Sequence, residues 1–216
     1  MEEEGETAMK THHFVLVHGI GGGGWCWYKI RCLMENSGHR VSCIDLTSGG
    51  IDLTDADSIH SFDVYSKPLM DFMFVLPDQE QGVPDLSEFG DVYDLGFGLG
   101  ADHPPTSALV KKQYQRTIIY HKSPQEDSTL AGMLLRPGPI LAITSARFTE
   151  GQEDKLVPRV YIKTAHDRVV KPHQQDNMIN KWPPSQVYVL ETDHSPFFSS
   201  PSSLFGLLLK AASNYS

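Results

Sequence analysis

The chain has 216 residues, of which 40% are apolar, and a formal net charge of −9. This length predicts one domain, or one domain with an insertion, and the apolar content suffices for a packed core. The acidic balance argues against a whole-surface attraction to nucleic acid or anionic membranes, and no apolar run approaches the roughly 18 residues of a spanning helix. The three cysteines show no metal-binding spacing and are expected to be reduced core thiols of a cytoplasmic protein.

The first half of the chain alternates between strand and helix patterns. Residues 1–10 are acidic, lack an apolar core and are expected to form a disordered tail. The short apolar run "HFVLVHG", which is closed by a glycine, is typical of a buried parallel strand. The following elements are predicted as a helix over 25–35, a strand over 40–46 and a helix over 62–76.

The middle of the chain has a different composition. From Pro77 to Pro105 glycine, proline and aspartate are frequent, and no strand is predicted there. Residues 111–120 fit either a helix or an extended segment. Ser123 is predicted to be the N-cap of the next helix, with Glu126 completing a capping box.

Strand and helix patterns return toward the C-terminus. Strands are predicted over 159–164 and 186–190, and helices over 172–181 and 201–212. Because strands that alternate with helices form parallel sheets covered by helices, the sequence predicts an α/β fold.

The glycine-rich turn after the first strand has two interpretations. Gly19 to Gly24 match the G-x-G-x-x-G pattern, and Asp45 lies 21 residues beyond, where a ribose-binding acid would stand in an NAD-dependent oxidoreductase. Against this remote alternative, Trp25 and Tyr28 crowd the helix start that a pyrophosphate must approach, and the chain has no Tyr-x-x-x-Lys pair. The other interpretation is an oxyanion-binding turn, with the Ile20 N–H as donor.

Two residues in the last third support this second interpretation. Asp167 follows one predicted strand and His194 follows the next, 27 residues later. Parallel strands place both side chains at the same edge of the sheet, where ligands bind. An acid followed by a histidine after the last strand is the order found in α/β-hydrolases, in which the carboxylate orients the imidazole base.

These segments resemble the plant methylesterase family of α/β-hydrolases. The similar stretches include "HFVLVHGIGGGGWCWYKIRCLMENSGHRVSCIDL", "SPQEDSTLAGMLLRPGP", "RVYIKTAHDRVVKP" and "DHSPFFSSP". The resemblance implies an α/β-hydrolase fold with a small cap, no cofactor or metal, and a monomer or homodimer. It also implies a small-molecule substrate, a methyl ester of a plant hormone such as indole-3-acetate, jasmonate or salicylate. The site residues it implies are Asp167 as acid, His194 as base, Ile20 as oxyanion donor, and His18, Gly21, Met133 and Leu134 as candidate pocket residues.

One feature of the family is missing. No serine in the sequence has glycines two residues to either side, so the nucleophile elbow Gly-x-Ser-x-Gly is absent. A strand, the elbow helix and a further strand, roughly 35–45 residues, are predicted to be lost near residue 81. Ser195 is a poor replacement because it directly follows His194. The chain is thus expected to comprise two core halves, 11–81 and 151–216, around a cap-like region, 82–150, and to be an impaired esterase or a non-catalytic binder of small ligands.

Overall fold

The computed structural model describes residues 11–73, 90–146 and 157–215. The predicted tail, the junction near residue 81 and part of the cap-like region lie outside these ranges. The strands are β1 (His13–Val17), β2 (Arg40–Ile44), β3 (Tyr93–Gly96), β4 (Ser107–Val110), β5 (Val160–Thr164) and β6 (Gln186–Leu190). The α-helices are α1 (Tyr28–Asn36), α2 (Phe62–Met73), α3 (Lys112–Ile118), α4 (Gln125–Leu134), α5 (Ile140–Thr144), α6 (Pro172–Lys181), α7 (Pro196–Ser199) and α8 (Pro201–Asn214).

The strands form three separate pairs among the described residues. β1 pairs with β2 in parallel, β5 pairs with β6 in parallel, and β3 with β4 forms an antiparallel hairpin. The two parallel pairs confirm the predicted α/β class, and the strands and helices predicted in both core halves are present within a few residues of their expected bounds. None of the helices in the described ranges is both long and apolar enough to cross a bilayer.

One apolar cluster joins the two parallel pairs. Ile30 and Met34, one helical turn apart on α1, are fully buried and pack with Leu16 of β1, Leu190 of β6 and Leu204 of α8. This spacing places one face of α1 against both halves of the core. The α1–α8 contact therefore holds the N-terminal and C-terminal halves together without a hydrogen bond between their strands.

The middle of the chain contains a hairpin where no strand was predicted. Tyr93–Gly96 pairs antiparallel with Ser107–Val110, so the expectation of no strand up to Pro105 was wrong. The strand "YDLG" is only four residues long, and Asp94 and Gly96 are residue types depleted in strands. Its stability comes from pairing and from the buried Thr106 beside it, which sequence propensity does not record. The ambiguous segment after it forms helix α3.

The predicted capping box of α4 is also absent. The helix begins at Gln125, its N-cap is Pro124, and no side chain caps it. The Ser123 hydroxyl instead donates to the Asp193 carboxylate at 2.9 Å. The hydroxyl is thus directed to a carboxylate that lies far away in the sequence, a tertiary contact that the local motif does not record.

Candidate functional site

The acid and the histidine predicted from the sequence lie together at one edge of the β5–β6 pair. The strand pairing continues past both strand ends, because the His166 N–H donates to the Thr192 carbonyl at 3.0 Å. Asp167 and His194 follow directly, and Asp167 Oδ2 lies 3.0 Å from His194 Nδ1. The Asp167 side chain is buried, whereas that of His194 is 37% exposed. The pair therefore has the arrangement of a carboxylate that orients an accessible imidazole.

Local hydrogen bonds hold the Asp167 carboxylate. Its Oδ1 accepts from the backbone N–H groups of Val169 at 2.7 Å and Val170 at 2.9 Å, and its Oδ2 accepts from the Thr164 hydroxyl at 2.9 Å. Burial by itself would raise the pKa of Asp167, but the hydrogen bond and charge of His194 together with the two amides outweigh it, so the pKa lies below its usual range. Asp167 is thus an anion at neutral pH.

Gln175 of α6 supports this arrangement from behind, and sequence reasoning missed it. Its side-chain amide pairs with both backbone groups of Thr164: the Thr164 N–H donates to Oε1 at 2.9 Å, and Nε2 donates to the Thr164 carbonyl at 2.9 Å. Nε2 also donates to the Val170 carbonyl at 2.8 Å. The buried glutamine therefore links the end of β5 to the loop that carries Asp167. A glutamine within a helix gives no sequence signal for this role.

The second ring nitrogen of His194 has no hydroxyl partner among the residues that the structure describes. Because Nδ1 faces Asp167, Nε2 is directed away from it and is the atom that a nucleophile would approach. The neighbouring Ser195 is only 1% exposed, and its hydroxyl has no hydrogen-bond partner in the described ranges. Its N–H donates to Asp193 at 3.0 Å, which fixes the backbone after the histidine. A side chain buried to this extent does not reach a substrate.

Several backbone N–H groups of the glycine-rich turn have no hydrogen-bond partner among the described residues, and the Ile20 N–H is one of them. No described residue hydrogen-bonds to the Ile20 N–H, whereas the Gly22 N–H donates to the Gly19 carbonyl at 3.1 Å. Gly21 has φ +71°, and its carbonyl accepts from the Arg136 N–H at 3.0 Å. A Cβ at Gly21 would lie 2.5 Å from the Arg136 carbonyl oxygen, so only glycine fits there without a backbone shift. The turn is thus packed closely against the segment after α4.

His18, predicted as a pocket residue, has both ring nitrogens occupied by backbone groups. The Leu46 N–H donates to Nε2 at 2.9 Å, so Nδ1 carries the proton and donates to the Gly19 carbonyl at 2.7 Å. Burial lowers the pKa of His18, which keeps the ring neutral and in this tautomer. The structure therefore gives His18 the role of a brace between the glycine turn and the loop after β2.

Asp45, which the dinucleotide interpretation assigns to a ribose, binds the turn itself. Its Oδ1 accepts from the Gly24 N–H at 2.6 Å and its Oδ2 from the Ile51 N–H at 3.1 Å. A pyrophosphate needs the N–H groups at this helix start to be free. The Asp45 carboxylate binds one of these N–H groups and would repel a phosphate. This geometry therefore disfavours the binding of NAD.

Asp193 connects the cap-like segment to the loop that bears the histidine, and sequence reasoning also missed this role. The carboxylate is fully buried, and its Oδ2 accepts from the Lys122 N–H at 2.8 Å and the Ser123 hydroxyl at 2.9 Å. Its Oδ1 accepts from the Ser195 N–H. The only sequence signal for this role was that Asp193 directly precedes the predicted base, His194.

Aromatic contacts join the glycine turn to the base loop. Phe198 of α7 is buried against Trp25, with ring centroids 6.4 Å apart, and Phe197 contacts Trp27 at 5.0 Å. Both tryptophans follow the glycine turn directly, and both phenylalanines follow His194 by a few residues. These contacts fix the two loops relative to each other.

The remaining predicted pocket residues lie at the end of α4. Met133 and Leu134 precede Arg136, the residue whose N–H binds the glycine turn, and their side chains are 74% and 38% exposed. Ile20 is similarly exposed at 41%. The site thus carries exposed apolar side chains near a free backbone donor.

Comparison with known proteins gives close matches over nearly the whole chain, although no protein-family model matches it. The chain is 50% identical to methylesterase 17 of Arabidopsis thaliana over an alignment of 258 positions, which covers 96% of this chain and 94% of the relative. It is 37% identical to the pheophorbidase of Raphanus sativus, and this match covers 99% of this chain and 98% of the relative. The crystal structure of the methylesterase protein MES16 from Arabidopsis superposes with a TM-score of 0.83 at 37% identity, covering 94% and 99% of the two chains. The predicted α/β-hydrolase architecture is thereby confirmed.

Proposed function

Because this chain belongs to the plant methylesterase family of α/β-hydrolases, we propose that it retains the acid, the base and an oxyanion donor of an ester hydrolase but lacks the serine nucleophile. Asp167 and His194 form the acid–base pair, and the Ile20 N–H is the oxyanion donor. The proposal predicts that binding of a small ester persists while its hydrolysis is strongly impaired.

The acid–base pair has the geometry that the proposed roles require. In acyl transfer the base removes the proton of the attacking hydroxyl and later delivers it to the leaving alcohol, here methanol. The Asp167 anion, 3.0 Å from His194 Nδ1, would stabilise the imidazolium that forms in between. The free Ile20 N–H would donate to the carbonyl oxygen as negative charge develops on it.

The observation that carries the proposed impairment is an imidazole without a nucleophile. His194 Nε2 has no hydroxyl partner in the described part of the chain, and the full sequence holds no Gly-x-Ser-x-Gly motif. The family places that motif on a central strand, and the alignment with methylesterase 17 has 258 positions, more than the 216 residues of this chain. Loss of the nucleophile in such a triad lowers kcat by roughly a million-fold.

The proposed ligands are methyl esters of small plant hormones, such as methyl indole-3-acetate, methyl jasmonate or methyl salicylate. The exposed apolar side chains of Ile20, Met133 and Leu134 offer a surface for an apolar ring or chain beside one carbonyl-binding donor. The proposal places the protein in the cytoplasm, which agrees with its three free cysteines, as a monomer or homodimer.

Methanol release from methyl indole-3-acetate tests the enzymatic part. The wild-type chain and a His194→Ala variant are compared at equal concentration, after circular dichroism has shown that both are folded. We expect equal rates, because a base without a nucleophile contributes little. A wild-type rate well above that of the variant would contradict the proposed impairment and would require a nucleophile elsewhere.

A non-catalytic role as a ligand-binding protein is the second candidate function. The free Ile20 N–H and the exposed apolar side chains next to it favour this role, since they need no nucleophile to hold an ester or its acid. Titration calorimetry with methyl indole-3-acetate and with indole-3-acetate measures it directly. Saturable binding that is lost in a Met133→Lys variant, with an exposed Met178→Lys variant of α6 as control, would support the role. Heat changes no larger than dilution would refute it.

A further inference from the structure

Three basic side chains lie where the segment between α3 and α4 packs against the loops after β5 and β6. On one side of this contact, Arg168 Nη1 donates to the Thr117 carbonyl at 2.8 Å. On the other side, the Lys122 N–H donates to Asp193 Oδ2 at 2.8 Å. These two hydrogen bonds bring His121 and Lys122 to the same surface as Arg168. His121, Lys122 and Arg168 together form the basic cluster.

The two permanent cations of the basic cluster have no acidic partner in the part of the chain that the structure describes. Lys122 and Arg168 are both exposed, and neither belongs to an ion pair between described residues. The neighbouring carboxylates are engaged elsewhere. Asp193 is buried and accepts from three donors, and Glu191 Oε2 lies 2.7 Å from His166 Nε2. The positive charge of the basic cluster is therefore available to a ligand.

His121 adds an unused hydrogen-bonding atom to this positive charge. Its Nδ1 is buried and has no hydrogen-bond partner among the described residues. Buried polar atoms in proteins are normally paired, because an unpaired one has lost its hydration without compensation. A ligand atom that hydrogen-bonds to Nδ1 would remove this cost.

Positive charge dominates the surroundings of His121. Burial lowers the pKa of His121, and the charge of Arg168 lowers it further. Lys122 and His166 act in the same direction, whereas Asp193 opposes them. The imidazole is therefore neutral at pH 7, and an added anion would be attracted by the cations around it.

We propose that the basic cluster binds a small oxyanion, namely a carboxylate or a phosphate group. The Arg168 guanidinium keeps N–H donors beyond the one that binds Thr117, and its planar shape suits two oxygens of one ligand. Lys122 adds a point charge, and the neutral His121 ring donates from Nδ1 in one of its tautomers. A cation or an uncharged apolar molecule would leave all three groups unpaired.

The basic cluster flanks the acid–base pair but does not include it. Arg168 directly follows Asp167 along the chain, and the Lys122 N–H shares the Asp193 carboxylate with the N–H of the residue after His194. The proposed oxyanion site needs neither a nucleophile nor an ester. It therefore does not rest on the proposed function, and a probe without an ester can test it.

The test uses the full chain at pH 7 with two probes, inorganic phosphate and indole-3-acetate. Titration calorimetry measures binding at an ionic strength that sodium chloride keeps constant. We expect saturable binding of at least one probe, which Arg168→Gln and Lys122→Gln each weaken by roughly tenfold, because each removes a charged donor. Arg40→Gln removes the same charge at the exposed start of β2 and should leave binding unchanged.

The two cluster variants guard against a folding defect. Arg168→Gln also loses the hydrogen bond to Thr117, so thermal unfolding is compared with that of the wild type. The Lys122 side chain makes no hydrogen bond or ion pair within the described ranges, so Lys122→Gln should leave Tm unchanged and weaken binding all the same. Binding that neither variant weakens would overturn the proposal. The absence of saturable binding of both probes would overturn it too, as would equal weakening by Arg40→Gln.

The two probes distinguish the source of the oxyanion. Binding of phosphate alone would assign a phosphate group to the basic cluster, and binding of indole-3-acetate alone would assign a carboxylate. Met133→Lys, which should abolish ester binding under the proposed function, should leave the binding of phosphate unchanged. A chain that binds phosphate but not methyl indole-3-acetate would support the oxyanion site and refute the ligand-binding role. A chain that binds the ester but neither probe would do the reverse.

Discussion

The two ends of the parallel strands differ in how their polar groups are paired. At the end that carries the site, Asp45, Asp167 and Asp193 each accept at least two hydrogen bonds from neighbouring loops. At the other end, the first residues of β1 and β5 border an open cleft, and each of these strands is paired along one edge only within the described residues. The site is thus built from side-chain-to-backbone hydrogen bonds within and between loops. Such bonds do not depend on strand pairing at the other end, so they can hold Asp167 beside His194 independently of it.

The largest expected effect follows from removing the Asp193 carboxylate. Asp193→Ala leaves the Lys122 N–H, the Ser123 hydroxyl and the Ser195 N–H without their acceptor in a fully buried position. We expect the free energy of unfolding to fall by about 3–5 kcal/mol, measured by urea denaturation at pH 7. Asp102→Ala, at an exposed position in the loop before β4, is the control and should change it by less than about 0.5 kcal/mol. Equal urea midpoints for the two variants would contradict the inference that the hydrogen bonds to Asp193 stabilise the end of the strands that carries the site.

A smaller loss is expected from Gly21→Ala in the glycine turn. The new methyl group meets the Arg136 carbonyl at 2.5 Å, and the φ of +71° is unfavourable for alanine. Together these effects should cost about 3 kcal/mol. Gly38→Ala is a matched control, because Gly38 has φ +80° but no atom within 4 Å of its would-be Cβ, and should cost about 1 kcal/mol. The difference between the variants, measured by thermal unfolding, reports the contact alone; no difference would mean that the turn is not held by Arg136.

Replacement of Asp167 tests the end of the strands that carries the site, through the pH dependence of the free energy of unfolding. The pKa of Asp167 lies below its usual range, so the folded state binds this proton more weakly than the unfolded state does. Its contribution is therefore present above the unfolded pKa of about 4 and is lost as the pH falls through the lower folded value. We expect Asp167→Asn to cost about 2 kcal/mol at pH 7 and to lose less stability than the wild type on acidification below about pH 5. Parallel stability curves for the two proteins would contradict this assignment.

The sequence predicted the elements whose signal is local or periodic. The apolar run of β1 and the boundaries of α6 and β6 follow from strand and helix patterns. The proximity of Asp167 and His194 was predicted because parallel strands end at one edge. These features depend on chain direction and periodicity, which a single sequence records.

Tertiary partners account for what the sequence did not predict. The hairpin strand at Tyr93 is stabilised by its pairing rather than by its composition. Ser123 looks like a helix cap, yet it binds Asp193, which lies 70 residues away in sequence. Gln175 gives no pattern at all, because its role depends on the backbone of Thr164 across the α6–β5 contact. In each case the partner is distant in the sequence, and a local pattern does not record it.

The smallest effect on stability is expected at the end of the strands opposite the site. His13 lies at the start of β1, where it is exposed; its ring lies 3.0 Å from the Ser42 hydroxyl and makes an edge contact with the ring of Phe72. His13→Ala should therefore change the free energy of unfolding by less than about 1 kcal/mol, measured by urea denaturation at pH 7. In a sheet whose centre is filled, the same position would be covered on both sides and its truncation would leave a cavity. A cost of several kcal/mol would mean that the second edge of β1, opposite β2, is already covered in solution, and the distinction between the two ends of the strands would no longer hold.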